Sequence, residues 1–216
     1  MIFKNKNHSE QTQKEELANA ISHGVGALAA MVSAPFLINY AVRYGDALIV
    51  GGATVFIISA ILLYLSSMFF HGLSNGKAKD VFQVFDHIAI FILIAGTYTP
   101  FTVGILHGSF GWFLLGLIWI MAFTGITLRL WLGKSNMKIF VALYLLMGWT
   151  IIIGIKPLIE KMEIAGLLWL AVGGAAYTLG VIFYLLPRRS YTHFVWHLFV
   201  LAGTTSHFVA VMFYSF

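Results

Sequence analysis

The sequence predicts an all-α integral membrane protein, a bundle of seven transmembrane helices with the N-terminus in the cytoplasm and the C-terminus outside. Three observations predict it. The chain of 216 residues is 60% hydrophobic, only 10% charged and has a mean hydropathy of +0.88, beyond the range of soluble domains. Seven apolar stretches are each long enough to cross about 30 Å of hydrocarbon at about 1.5 Å per residue. The basic residues fall mostly on one side of the bundle those stretches imply.

In chain order the spans cover roughly residues 20 to 42, 48 to 70, 84 to 106, 110 to 131, 138 to 157, 164 to 186 and 193 to 215, joined by short loops. Barrel strands would alternate apolar and polar residues over about ten positions. Here "AILLYLSSMFF" in the second span and "GLLWLAVGGAAYTLGVIFYLL" in the sixth are apolar on every face, and helices satisfy their own backbone in lipid. Pro100 is expected to kink or weaken the third helix in its outer half and to leave a backbone carbonyl free. Gly173, Gly174 and Gly180 offer close helix contacts in the sixth. The polar start, "MIFKNKNHSEQTQKEE", reads as a cytoplasmic tail of residues 1–18, and residues 19–216 as one membrane domain without internal repeat or second domain. The first apolar run is longer than a signal-peptide core, so it reads as a span.

Net charge is +5 and the pI near 9.5, but the basic residues are spread over loops, so no nucleic-acid partner is expected. Topology accounts for them. Lys4, Lys6, Lys14, Lys77, Lys79, Arg129, Lys134, Lys138, Arg188 and Arg189 share one side, and Arg43, Lys156 and Lys161 the other. The positive-inside rule makes the first side cytoplasmic. This orientation brings His23 near the start of the first helix, His71 at the end of the second, Asp86 at the start of the third, and His193 and His197 at the start of the seventh to one depth.

Residues at i and i+4 lie about 40° apart on a helix and roughly 6 Å apart along it, so His193 and His197 can reach one ion. Ser67 and His71 share the same spacing, with the hydroxyl one turn deeper. Asp86 is the only acidic residue inside an apolar span; an unpaired carboxylate there costs several kcal/mol or sits protonated, so it needs a partner. The HxxxH pair alone suits a metal, contact with headgroups, or hydrogen bonding between helices; His71 and Asp86 at the same depth favour the metal. The chain has no cysteine, which leaves imidazole, carboxylate and water as ligands. Three neutral imidazoles make a plausible zinc site with a water in the fourth position, its pKa lowered to about 7. Asp86 then orients the water or serves as general base, and Ser67 holds a ligand or the developing oxyanion.

Glu16, Asn19 and His23 in "EELANAISH" lie along one helix face. They either cap the site from the cytoplasm or form a polar helix start bonded to loop backbone, and the local pattern slightly favours the second. His207 lies about 15 Å deeper than His197 and reads as a hydrogen-bonding bundle residue. His87 points about 100° away from Asp86, toward a neighbouring helix or the headgroups. His107 and His8 are loop and tail residues. Aromatic residues match lipid-facing and interfacial surface, and no phosphate loop, nucleophile elbow or HExxH motif is present.

"EELANAISH", "SSMFFH", "FDHIAIFILIAGTYTPF" and "HFVWHLFVLAGTTSHF", in that order, resemble the hemolysin III family. These are bacterial members of the progestin and adipoQ receptor (PAQR) group, more distantly related to alkaline ceramidases. The resemblance runs from about residue 15 to the end of the chain. It implies a seven-helix protein of the bacterial inner (cytoplasmic) membrane with zinc held near the cytoplasmic leaflet by His71, His193 and His197. It further implies roles for Ser67 and Asp86 beside the metal and for the Glu16, Asn19 and His23 motif. It does not extend to the long N-terminal domain of the animal receptors, so hormone recognition is not among its implications. The expected function is metal-dependent hydrolysis of lipid amide or ester bonds, with membrane lipids as partners. The alternative is a non-catalytic sensor or regulator of membrane homeostasis with structural zinc; a pore-forming haemolysin is a third reading.

Overall fold

The computed structural model describes residues 11–133, 137–186 and 189–216. Most of the tail at 1–18, His8, and Lys4, Lys6, Lys134 and Arg188 of the charge count lie outside them. Among the described residues all regular structure is helical: α1 (Gln13–Tyr44), α2 (Ala47–Gly72), α3 (Lys77–Val103), α4 (Ser109–Leu132), α5 (Met137–Trp149), a 3₁₀ turn (Thr150–Gly154), α6 (Ile155–Lys161), α7 (Ile164–Leu185) and α8 (Thr192–Tyr214). With α5, the 3₁₀ turn and α6 taken as one crossing, seven helices are long and apolar enough to span a membrane.

Local sequence sets the helix ends. Thr12 and Glu15 form a capping box at the start of α1, so the helix begins in the polar segment ahead of its apolar run. Asp46 caps α2 by accepting the N–H groups of Leu48 and Ile49 at 2.9 and 3.0 Å. Glycines in the left-handed region flank α4, Gly108 at φ 96° and Gly133 at φ 64°, a conformation other residues rarely adopt. The third helix starts earlier than its apolar run, at Lys77, and stops at Val103. It stays helical through Pro100, three residues before its end, although the proline returns no N–H to the ladder there.

The fifth crossing is a single span, as expected for residues 138 to 157, but its helix is interrupted by the 3₁₀ turn. Tyr98 of α3 inserts its hydroxyl into it, donating to the carbonyls of Met147 (3.0 Å) and Gly148 (2.8 Å) and accepting the N–H of Ile151 (2.7 Å). A side chain in the i→i−4 ladder opens the helix at that point. Pro157, three residues into α6, removes a further backbone donor.

Sequential helices are neighbours, and α8 returns to pack on α1, α2 and α3 as well as α7. The most buried crossings are α3, α2 and α8, and the outer faces of the others expose residues such as Leu17, Phe36, Phe123 and Trp131, as a lipid-facing surface requires. Close packing uses glycine where expected at two of three positions. A Cβ on Gly173 would collide with the His207 ring, and one on Gly180 would come within 2.7 Å of Phe199. Gly174 differs from the expectation: it faces open space, being turned about 100° from Gly173.

Replacing Tyr98 by Phe leaves the Ile151 N–H and two carbonyls short of a partner in an apolar crossing. The expected cost is about 1–3 kcal/mol, read as a lower melting temperature of the purified protein in detergent, with metal content unchanged because Tyr98 lies far along α3 from the site described next.

Candidate metal centre

In an antiparallel bundle the end of α2 and the starts of α1, α3 and α8 meet at one end, and the polar residues of these helices gather there. His71 is in the last turn of α2; His193 and His197 are one turn apart at the start of α8. The His193 Nε2 atom lies 3.2 Å from His71 Nε2 and 3.1 Å from His197 Nε2, and the three nitrogens sit within 4.8 Å of one another. His71 and His197 are buried and His193 half-buried.

Hydrogen bonds at the far side of two rings set their tautomers. His71 donates Nδ1–H to the Glu16 carboxylate at 2.7 Å. Ser22 Oγ donates to the Asn19 carbonyl at 2.8 Å and so accepts the His197 Nδ1–H at 3.0 Å. Both Nε2 atoms are therefore bare and aimed at His193. Lone pairs converging in this way repel unless a cation or a shared proton lies between them. For a tetrahedral ion with metal–nitrogen bonds of about 2.0–2.1 Å the nitrogens stand about 3.3 Å apart, close to the spacing here, and a hydrogen bond from the outer ring nitrogen is the usual support for a metal-bound imidazole. The residues fit a metal ion.

The trio forms part of the wall of a cavity of about 280 Å³ that Ser67, Asp86, His23, Gln83, His87 and Tyr184 also line. Ser67 and Asp86 are buried. Among the described residues, Ser67 Oγ, Gln83 Oε1 and both ring nitrogens of His23 are buried without a hydrogen-bond partner. Orphaned polar atoms of this kind call for water or a polar ligand.

The start of α1 supplies most of the support. Glu15 accepts the backbone N–H of Tyr191 at 2.7 Å, holding a residue whose φ of 61° is unusual for tyrosine and which sets the start of α8. Asn19 Nδ2 donates to Gln11 Oε1 at 2.9 Å. His23 stacks on His197, centroids 3.6 Å apart and planes within 5°. The stripe of Glu16, Asn19 and His23 thus lies against the histidine trio.

Several contributors escaped the sequence reading. Ser22 lies beside the Asn19–His23 face but is an ordinary serine by local pattern. Lys79 counts in the sequence only as a loop charge, yet it is buried and lies 3.2 Å from Glu16 Oε1; its position seven residues, or about two turns, before Asp86 puts both on one helix face. Arg129 is also fully buried. It donates to His87 Nδ1 from Nε at 3.0 Å and from Nη2 at 2.7 Å, and to the Gly133 carbonyl. His87 thus faces a neighbouring helix, as expected, and also the cavity. His207 donates to the Leu170 carbonyl at 3.3 Å, a bundle contact, and His107 bonds locally to Gly104.

The family model described as Haemolysin-III related matches residues 11–208. The chain belongs to the haemolysin III family. It is 43% identical to a Hemolysin-3 homolog of Bacillus subtilis, across 94% of this chain and 95% of that one. It is 42% identical to Hemolysin-3 of Bacillus cereus, across 94% and 93%. A human relative, monocyte to macrophage differentiation factor, is 30% identical over 71% of this chain and 66% of its own. The family assignment and the seven apolar helices make this a multi-pass membrane protein of that family with a buried histidine group able to hold a metal ion.

Elemental mass spectrometry of purified protein is expected to find about one divalent metal ion per chain. His71→Ala and the His193→Ala, His197→Ala double variant should lose it while keeping a monodisperse size-exclusion profile, and Ser22→Ala should weaken binding about 10- to 100-fold.

Proposed function

We propose that the chain is a zinc-dependent hydrolase of lipid amide or ester bonds in the bacterial inner membrane. One observation carries the reading: three converging imidazole nitrogens share a cavity with a buried carboxylate and a buried, unpartnered hydroxyl. His71, His193 and His197 hold the ion, and imidazole with no thiolate in the chain suits zinc among the common metals. When bound, zinc supplies Lewis acidity and brings the pKa of a coordinated water to about 7.

The remaining work falls to the protein's own groups. Asp86 takes the proton from the attacking water and returns it to the leaving group, general catalysis worth typically about 10²–10⁴-fold. Ser67 donates its hydroxyl hydrogen to the carbonyl oxygen as charge develops there. His23 and Gln83 offer hydrogen bonds to the polar part of a lipid whose chains lie along the bundle. The substrates are membrane lipids, and no nucleic acid takes part.

Asp86→Asn is expected to lower fatty-acid release from bilayers containing long-chain lipid amides or esters by at least about 100-fold, with metal content unchanged. Wild-type phenotype in Asp86→Asn, alongside unfolding on loss of the histidines, would instead assign the metal a structural role in a membrane sensor. Vesicle leakage that survives loss of all three histidines would mark a pore.

The metal end of the bundle is assigned to the cytoplasm from the excess of lysine and arginine on that side. The chain contains no cysteine, so single cysteines report orientation without background. Cysteine at Ser74 should resist an impermeant thiol reagent added to whole cells, and cysteine at Glu163 should react.

A further inference from the structure

The ammonium group of Lys79 is almost completely buried, with 3% of the residue exposed. A lysine there is costly unless its three N–H donors find acceptors. They do: Glu16 Oε1 at 3.2 Å, the Leu73 carbonyl at 3.2 Å and the face of the Phe70 ring at 5.2 Å from its centroid. Glu16 turns Oε1 toward Lys79 and Oε2 toward His71 Nδ1 at 2.7 Å. A chain of contacts therefore runs from Lys79 in α3 through Glu16 in α1 to His71 in α2, whose Nε2 faces the other two histidines.

Each contact on a carboxylate oxygen restricts rotation of the group about its last two bonds. With an ammonium on one oxygen, its plane and the direction of its second oxygen are set, and with them the ring orientation and tautomer of His71. Lys79 itself does not line the cavity; it reaches the wall only through the Phe70 ring that it faces. We infer that Lys79 is a positioning residue for the metal centre, acting on His71 through the Glu16 carboxylate. The inference rests on the reading of the histidine trio as a metal site. It assigns the lysine a part in that site in addition to its contact with the loop after α2.

The test is zinc affinity of the full-length protein in detergent, measured by competition with a chelator for wild type, Lys79→Met, Lys79→Gln, Glu16→Gln and the Glu16→Gln, Lys79→Met double variant. Lys79→Met should bind zinc about 10- to 100-fold more weakly, and Lys79→Gln, which keeps an uncharged N–H donor, should fall between it and wild type. Because Lys79 acts through Glu16, the double variant should bind no more weakly than Glu16→Gln alone. The visible absorption of the cobalt-loaded protein should shift in the same sense in Lys79→Met and Glu16→Gln, since both release the same ring. Wild-type affinity in Lys79→Met, or losses that multiply in the double variant, would overturn the positioning role while leaving the metal centre intact. Should Lys79→Met not fold, wild-type affinity in a folded Lys79→Gln with an unchanged cobalt spectrum overturns it equally. Zinc-replete wild type that retains no zinc would remove the metal centre itself and the inference with it.

Discussion

Imidazole nitrogens that carry lone pairs and face one another in an apolar interior repel, and water is too scarce there to screen them. Most of the polar design of this bundle follows from that constraint. With His71 and His197 each donating Nδ1–H away from the centre, the inward nitrogens are left bare, and a cation between them turns the repulsion into ligation. The same arrangement would be unfavourable without one, because bare acceptors in a low dielectric each cost on the order of a hydrogen bond's desolvation.

The first three turns of α1 hold this centre together. Four of its residues reach three other helices: Glu15 to the backbone that starts α8, Glu16 to His71 and Lys79, Ser22 to His197, and His23 stacked over His197. Residues on one helical face address different partners because each turn rises about 5.4 Å, enough to pass from the headgroup side of the site to its floor. A helix that began only at its apolar run would carry neither the Glu15 nor the Glu16 contacts, and the capping box at Thr12 is what starts it early.

Away from the centre the bundle obeys a different economy. Hydroxyls of Thr54, Ser59, Thr97 and Thr178 return to carbonyls three or four residues back, as polar side chains in a membrane helix do when no partner helix needs them. Other side chains join helices, as where the Trp119 indole N–H donates to the Thr99 hydroxyl at 3.2 Å. Tyr177 donates to Thr204 at 2.6 Å, with Gly203 leaving room for its ring, and Tyr98 interrupts the fifth crossing. Polar atoms left without protein partners gather mostly around the cavity beside the histidines, which is where a ligand would satisfy them.

Much of this was legible in the residues alone. Length and unbroken hydropathy determined seven helical crossings, since no other backbone closes its own hydrogen bonds in hydrocarbon. The i, i+4 spacing of His193 and His197, and the rule that alternate helix ends share a depth, brought His71, Asp86 and the start of α1 to the same region. Helical periodicity, however, specifies a face and a depth, not which neighbour that face meets or how a side chain bends toward it. Only the tertiary structure decided that Lys79 turns inward to Glu16, that Ser22 supports His197, that Arg129 buries its charge against His87, and that Tyr98 opens the fifth helix. Each of these is a pairing between distant helices, set by how the bundle packs and by the demand that a buried polar group find a partner.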